Sequence, residues 1–205
     1  MLTLHHLRIG RSIFTVWLAE ELELDYQIQE YLRNPETMRA PATLKNVNPL
    51  GRSPAIEDDG MVLCESGAIT SYLLEKYDPD HKFSPRRTDL QAWAEYMQWL
   101  VYPEASVFAP LFMRMLAMRS AEAKPFLESY SAPEIALHFG HIANKLAGNE
   151  FILGDNISGA DFGISYVIGL GERLGAIADY PTLTAYLARN RARPAFVRAL
   201  ARGVE

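Results

Sequence analysis

The stretch from Asn48 to Tyr77 constrains the fold of this chain more than any other part of the sequence. Asp59-Gly60 separates two apolar runs, Ala55-Ile56 and Met61-Val62-Leu63. This dipeptide favours a two-residue β-hairpin, because Asp and Gly tolerate the positive φ angles of a type I′ turn. Pro54 precedes the first run, at a strand start that does not need its missing N–H. The stretch therefore predicts two antiparallel strands joined by a tight turn.

A helix is predicted directly after this hairpin, beginning at Glu65 and Ser66. The apolar residues that follow have the spacing of one helical face: Ile69, Tyr72, Leu73 and Tyr77. A serine at a helix start can cap backbone N–H groups, and those groups together with the helix dipole also favour an anion. Two interpretations stay open: a capped helix without a ligand, and a ligand site at the helix start.

The first thirty residues or so predict a βαβ unit. Leu2 to His5 is a strand-like apolar segment, Gly10 to Leu22 has one apolar helical face, and Asp25 to Tyr31 is strand-like. We expect the two strands to be parallel, with a right-handed crossover. Residues 36–47, with Pro41 among them, predict a loop and a short helix before the hairpin.

Strand patterns end at residues 78–87, which contain two prolines and no periodicity and are typical of a linker. The rest of the chain has helical patterns. Pro103 and Pro110 predict a kink or break in the first long helix, because each removes a backbone donor. Ser158 followed by Asp161 predicts a capping box, and the apolar segment after it predicts a buried helix.

The composition excludes several classes of partner. A formal net charge of -5 and a pI near 5.6 argue against nucleic acid binding. The arginines near the end alternate with apolar residues and predict a solvated helix face. The single cysteine, Cys64, favours a reducing compartment and is predicted to be a small core residue. We expect a cytoplasmic protein, because the sequence shows no signal-peptide pattern and no apolar run of about 20 residues.

Gly51-Arg52-Ser53-Pro54 and Glu65-Ser66 together resemble the glutathione-binding half of the cytosolic glutathione transferases. The first resembles that family's Gly-Lys-Val-Pro turn with its cis proline, and the second its Glu/Gln-Ser pair. The Ser-x-x-Asp box at Ser158 resembles the one in the family's helical domain. The resemblance covers nearly the whole chain. It implies an α/β plus all-α fold, with a thioredoxin-like domain at 1–79, a linker at 80–87 and an all-helical domain at 88–205.

The resemblance also implies an activity. The protein would be a homodimeric glutathione transferase that conjugates the glutathione thiol to a small hydrophobic electrophile in detoxification. Glutathione is implied as a co-substrate, with no permanently bound cofactor, no metal, and no nucleic acid or membrane partner. The residues implied to bind glutathione are Arg52, Ser53, Pro54, Glu65 and Ser66. Three alternatives stay open: a glutathione-binding or partner-binding protein with little turnover, a glutathione-dependent peroxidase or reductase, and a thiol–disulfide oxidoreductase.

The sequence departs from the family where a hydroxyl normally activates the thiol. Residues 10–22 resemble a bacterial and fungal branch with Ser-Arg-Ser-x-Arg before Trp-Leu-x-Glu-Glu-Leu, but Gly10 stands at the first serine and Phe14 at the arginine. Ser12 is the nearest substitute, either as a thiolate donor or as a plain helix cap. His6 is a second catalytic candidate, with a packed or solvated strand-end histidine as its alternative.

The resemblance implies an electrophile pocket between the two domains. Large side chains near the proline breaks, together with one arginine, are the candidates to line it: Arg11, Tyr96, Tyr102, Phe108 and Met113. Most of these could equally belong to the core.

Overall fold

The computed structural model describes residues 1–203, which form two compact units. One unit contains Met1–His81 together with the segment from Arg191 onward, and the other contains Lys82–Asn190. This grouping differs from the predicted division at the C-terminal end of the chain. The last two residues of the predicted 88–205 domain lie outside the described residues. In the described part of the chain, no helix is long and apolar enough to cross a membrane.

The first unit is built on a four-stranded sheet with the order β2-β1-β3-β4. Its strands are β1 (Leu2–Leu7), β2 (Tyr26–Tyr31), β3 (Ala55–Asp58) and β4 (Met61–Cys64). β1 and β2 are parallel, with Leu4 opposite Ile28, and α1 (Ser12–Glu21) connects them. β3 runs antiparallel to both β1 and β4. The predicted βαβ unit is therefore present.

The predicted hairpin is also present. Asp59 and Gly60, with φ angles of 49° and 81°, form the turn between β3 and β4, and α2 (Ser66–Tyr77) follows. The short helix expected between β2 and β3 is only a 3-10 helix, Ala42–Asn46, because Pro41 ends the preceding extended backbone and the segment is too short to continue.

One buried carboxylate ties the hairpin to α2. Asp58 is 2% exposed, and its Oδ2 accepts hydrogen bonds from Lys76 Nζ (2.7 Å), Tyr77 Oη (2.8 Å) and Tyr72 Oη (2.9 Å). Burial raises the pKa of this carboxyl, but the three hydrogen bonds outweigh burial, and the net pKa is lowered. The apolar stripe predicted for α2 therefore includes two tyrosines that carry polar contacts to the hairpin.

Two glutamates of α1 are covered by the C-terminal helix α8 (Pro194–Gly203) and the arginine that precedes it. Glu20 is 7% exposed and accepts hydrogen bonds from Tyr26, Arg198 and Arg202. The Glu21 carboxylate accepts hydrogen bonds from Nε and Nη2 of Arg193. The arginines expected to form a solvated helix face therefore attach α8 to α1, which explains why this segment groups with the first unit.

All regular secondary structure in residues 82–190 is helical, apart from one isolated bridge between Phe151 and Gly154. Its helices are α3 (Leu90–Tyr102), α4 (Phe108–Ala117), α5 (Lys124–Leu146), α6 (Gly159–Arg173) and α7 (Pro181–Arg191), of which α7 contributes its last residue to the first unit. A π-helical turn, Pro103–Val107, separates α3 from α4, which confirms the interruption predicted near Pro103.

Helix α6 is the buried helix that the sequence predicts. A Cβ at Gly171 would lie 2.3 Å from Phe139 Cζ, so only glycine allows this approach to α5. At the helix start, Asp161 is fully buried and accepts from Ser158 N and Oγ (both 2.8 Å) in a capping box. It also accepts from Ile152 N (2.9 Å) and Tyr186 Oη (2.8 Å). The mixed sheet with its helices and the helical unit confirm the predicted fold: a thioredoxin-like domain plus a helical domain.

Candidate functional site

The turn before β3 is closed by the side chain of Asn48 and held against the end of β1 by that of Ser53. Asn48 is 4% exposed; its Nδ2 donates to Arg52 O (2.9 Å) and its Oδ1 accepts from Arg52 N (3.4 Å). Ser53 Oγ donates to His5 O (2.8 Å) and accepts from Leu7 N (3.3 Å). The Ser53–Pro54 peptide bond is cis, as the resemblance implies. The backbone of Ser53 is thereby fixed beside the last residue of β1.

The start of α2 offers an open helix N-terminus. Glu65 occupies the N-cap position with φ 70° and ψ 117° and is exposed, and Ser66 is the first helical residue. Across the described residues, no side chain caps this end of α2, so the predicted serine cap is not formed. Backbone N–H groups and the helix dipole favour a carboxylate at such an end, with the Ser66 hydroxyl beside them.

Ser12 lies inside the first unit at 2% exposure. Its Oγ lies 3.1 Å from Leu7 N, 3.2 Å from Leu7 O and 3.0 Å from His6 Nδ1. Arg11, partly exposed, occupies the N-cap position of α1, and no side chain makes a capping bond there. Ser12 is therefore not a plain helix cap. It joins the start of α1 to the end of β1, and these contacts favour a structural role over donation to a thiolate.

His6 is fully buried in β1, and burial lowers the pKa of its imidazole. It is thus the packed histidine of the alternative interpretation. Ser12, His6 and Ser53 nevertheless meet, because Ser12 Oγ and Ser53 Oγ both face the N–H of Leu7. The structure brings these three predicted residues together around the end of one strand.

Gly10 is required by the backbone of the loop between β1 and α1. A Cβ at this position would lie 2.8 Å from Leu7 O and 3.1 Å from Arg33 Nη2. A serine at this position would therefore force the loop to shift. The glycine at position 10 thus goes with a loop conformation that leaves no room for a side chain.

Two further predicted residues flank these elements. Arg52 is exposed next to Ser53, where its side chain is open to solvent. Cys64, at the end of β4, is partly exposed, and burial followed by the charge of Glu65 raises the pKa of its thiol. A raised thiol pKa reduces the thiolate fraction and disfavours a redox role.

The four pocket candidates of the helical unit have different surroundings. Tyr96 is 0% exposed and packs on Trp93, which is the core alternative left open by the sequence. Tyr102 Oη lies 2.6 Å from His138 Nδ1. Phe108 stacks on Phe112 and Tyr166, and Met113 is partly exposed.

Sequence reasoning missed two residues that shape the site. Asn48 could have been found, because asparagine at the start of a turn often bonds to the backbone a few residues on. Arg33, which donates to the backbone at Arg8, Ile9 and Met38, gives no comparable signal, since two of these acceptors lie 24 and 25 residues away along the chain. No group of three or more metal-ligating side chains occurs in the described part of the chain.

Two models of protein domains match the sequence of this chain. Residues 1–75 match the N-terminal domain model of glutathione S-transferase, and residues 107–194 match the C-terminal domain model. Glutathione S-transferase 3 of Schizosaccharomyces pombe is 32% identical over 188 residues, which cover 84% of this chain and 75% of the relative.

Two solved structures are also similar. A glutathione S-transferase from Actinobacillus pleuropneumoniae is 34% identical, with a TM-score of 0.88 over 100% of this chain and 93% of that one. A glutathione transferase from Burkholderia graminis, with two glutathione molecules bound per subunit, is 27% identical, with a TM-score of 0.78 over 97% and 87% of the two chains. The domain matches and these identities show that the chain belongs to the glutathione S-transferase family.

Proposed function

We propose that this protein is a glutathione transferase that conjugates the glutathione thiol to a small hydrophobic electrophile. The observation that carries the proposal is the open N-terminus of α2, with Glu65 and Ser66 at its start. The γ-glutamyl end of glutathione bears a carboxylate and an ammonium group. The helix N-terminus and the Ser66 hydroxyl suit the carboxylate, and the Glu65 carboxylate suits the ammonium.

The remaining contacts of glutathione are assigned to Ser53 and to the residues on either side of it. The backbone of Ser53 pairs with the cysteinyl unit, Pro54 shapes that turn, and Arg52 reaches the glycine carboxylate. The fixation of the turn by Asn48 and by Ser53 Oγ supports this assignment, because a binding backbone must be held in place.

The chemical step requires a thiolate at neutral pH. A free thiol has a pKa of about 8.5, and lowering it by about two units takes roughly 2.7 kcal/mol of preferential stabilisation of the thiolate. The thiol proton passes to solvent, the sulfur forms a bond to the electrophilic carbon, and a leaving group departs with its electron pair. The surroundings of Ser12 support activation by the β1–α1 loop and the α1 N-terminus in place of a side-chain hydroxyl.

A second candidate is a glutathione-dependent peroxidase or reductase. The Burkholderia graminis relative binds two glutathione molecules per subunit. Two thiols supply two electrons when they form a disulfide, which balances the reduction of a hydroperoxide to an alcohol and water.

We also propose that the protein forms a homodimer and acts in the cytoplasm. The assignment to the bacterial and fungal branch, with Gly10 in place of its first serine, is part of the same proposal.

Calorimetric titration with glutathione tests the binding assignment. Glu65→Ala should weaken binding by about 1.5–3 kcal/mol, or roughly 10–150-fold, the range for a hydrogen bond to a charged group. Asp25→Ala is the matched control, because this exposed carboxylate precedes β2 at the opposite end of the strands. Affinity unchanged in Glu65→Ala, or no heat with the wild-type protein, would refute the proposal.

Turnover assays separate the activities. Rates with 1-chloro-2,4-dinitrobenzene report conjugation, and rates with cumene hydroperoxide report peroxidase activity. Glutathione binding with neither activity would favour the binding-protein alternative.

A further inference from the structure

Arg33, just after β2, holds two loops of the first unit together. Its Nε donates to Arg8 O (3.0 Å) and Ile9 O (3.2 Å), and its Nη2 donates to Ile9 O (3.0 Å). Its Nη1 donates to Met38 O (2.9 Å). One guanidinium thus bridges the β1–α1 loop, residues 8–11, and the loop of residues 34–39. An arginine fork suits this task, because it presents several donors in a fixed plane.

Two of the three residues that Arg33 bonds have unusual backbone conformations. Ile9 has φ 56° and Met38 has φ 57°, both in the left-handed region. This conformation is a genuine outlier for a β-branched residue such as Ile9 and persists only where the surroundings enforce it. The loop 34–39 is closed by its own bonds, including Asn34 N to Arg39 O (2.9 Å), so it gives Arg33 a firm anchor.

The β1–α1 loop packs closely against the guanidinium of Arg33. A Cβ on Gly10 would lie 3.1 Å from Arg33 Nη2. The loop begins one residue after Leu7, whose N–H is shared by Ser12 and Ser53. A cysteinyl unit paired with the Ser53 backbone would therefore place its sulfur next to residues 8–11.

We propose that Arg33 is a positioning residue for the thiol of bound glutathione, acting by fixing the conformation of residues 8–11. The inference rests on the proposed function. A thiolate is stabilised most by polar groups that are already oriented before the proton leaves. Because Gly10 adds no side-chain donor to this loop, the orientation of the loop backbone determines how well the thiolate is stabilised. Arg33 supplies that orientation without contacting the sulfur.

The test compares Arg33→Gln with Arg39→Gln, an exposed arginine of the adjoining loop whose loss changes the net charge equally. Amide hydrogen exchange of residues 8–11 is measured first, in the ligand-free protein. The pKa of bound glutathione is then titrated by thiolate absorbance, and kcat/KM with 1-chloro-2,4-dinitrobenzene is followed against pH. S-methylglutathione, which has no ionisable thiol, reports binding alone.

For Arg33→Gln we expect faster exchange at residues 8–11 and a pKa of the bound thiol higher by about one unit, which gives about tenfold less thiolate at a pH below both pKa values. The kcat/KM value should fall by the same factor at that pH and approach the wild-type value at high pH, where both thiols are ionised. Binding of S-methylglutathione should change by less than threefold, and Arg39→Gln should match the wild type. Arg33→Lys should stay close to Arg33→Gln, because the single nitrogen of an ammonium group cannot reach both loops as the separate nitrogens of the guanidinium do.

Several outcomes would overturn the inference. An unchanged thiol pKa in Arg33→Gln, with faster loop exchange, would reduce Arg33 to a structural role. Wild-type behaviour of Arg33→Lys would show that charge alone suffices, and this variant decides the matter if Arg33→Gln does not fold. Failure of the wild-type protein to bind glutathione would instead refute the proposed function, a result that the binding titration reports separately.

Discussion

Replacing Asp161 with alanine should destabilise the helical unit strongly without touching the glutathione site. The carboxylate is fully buried and accepts from two backbone N–H groups, those of Ile152 and Ser158, and from the hydroxyls of Ser158 and Tyr186. Alanine removes every acceptor at once. The Ser158 hydroxyl can rotate to another partner, and the Tyr186 hydroxyl keeps the backbone carbonyl of residue 161 as an acceptor (3.3 Å), but the two N–H groups cannot follow.

The size of the effect follows from these two orphaned N–H groups. A buried donor left without a partner costs about 1–3 kcal/mol, so two of them set a range of about 2–6 kcal/mol. Water that enters the vacated space relieves part of this cost, and we expect about 3–5 kcal/mol, as when a buried polar network is broken. This exceeds the loss of about 0.5–2 kcal/mol expected for an ordinary helix cap.

Urea unfolding followed by tryptophan fluorescence measures the loss, because Trp93 and Trp99 both lie in α3 of the affected unit. Asp155→Ala, an exposed acid in the preceding loop, is the matched control and should cost less than about 0.5 kcal/mol. Tyr186→Phe removes one hydrogen bond to the Asp161 carboxylate, so the double variant should lose less than the sum of the single losses. A loss below about 1 kcal/mol in Asp161→Ala, or normal stability with lost glutathione affinity, would refute this reasoning.

Three further changes test the first unit. Asp58→Asn should make the free energy of unfolding less dependent on pH in the acid range. Burial raises the pKa of the Asp58 carboxyl, but hydrogen bonds from Lys76 and two tyrosines lower that pKa overall. Its contribution is therefore present above the ordinary pKa of about 3.9 and lost as pH falls through the lowered native value, which denaturant unfolding between about pH 6 and 2 would record. Ser12→Ala should cost about 1–2 kcal/mol of unfolding free energy and leave the pKa of bound glutathione unchanged; a raised thiol pKa would restore Ser12 as the thiolate donor. Gly10→Ser should lower both stability and kcat/KM, because its Cβ would meet Leu7 O at 2.8 Å, and a gain in turnover would contradict that geometry.

The sequence predicted those parts of the fold whose causes are local. Asp59-Gly60 requires two positive φ angles, and the structure has both. The capping box at Ser158 depends on a spacing of three residues and is likewise present. The parallel pairing of β1 and β2 follows from the length of a single crossover helix.

The parts that could not be predicted depend on contacts between distant segments. The acidic face of α1 has the pattern of a solvated surface, and only the arrival of arginines more than 170 residues later buries it. Of the candidate site, the turn at Ser53 and the start of α2 could be found from motifs. The surroundings of Ser12 could not, because they depend on the path of the loop that Arg33 holds.

The attachment of α8 to α1 has a consequence for the order in which the protein can form during synthesis. The helical unit is complete once residue 190 has been made, whereas the sheet unit lacks α8 until residues 194–203 have been made. Until then, Glu20 and Glu21 are without their arginine partners, and Trp17 lacks the edge-on ring of Phe196. The unit that leaves the ribosome first is therefore the last to become complete, and a chain that stops short of Arg193 should yield a folded second half attached to an unfinished first half.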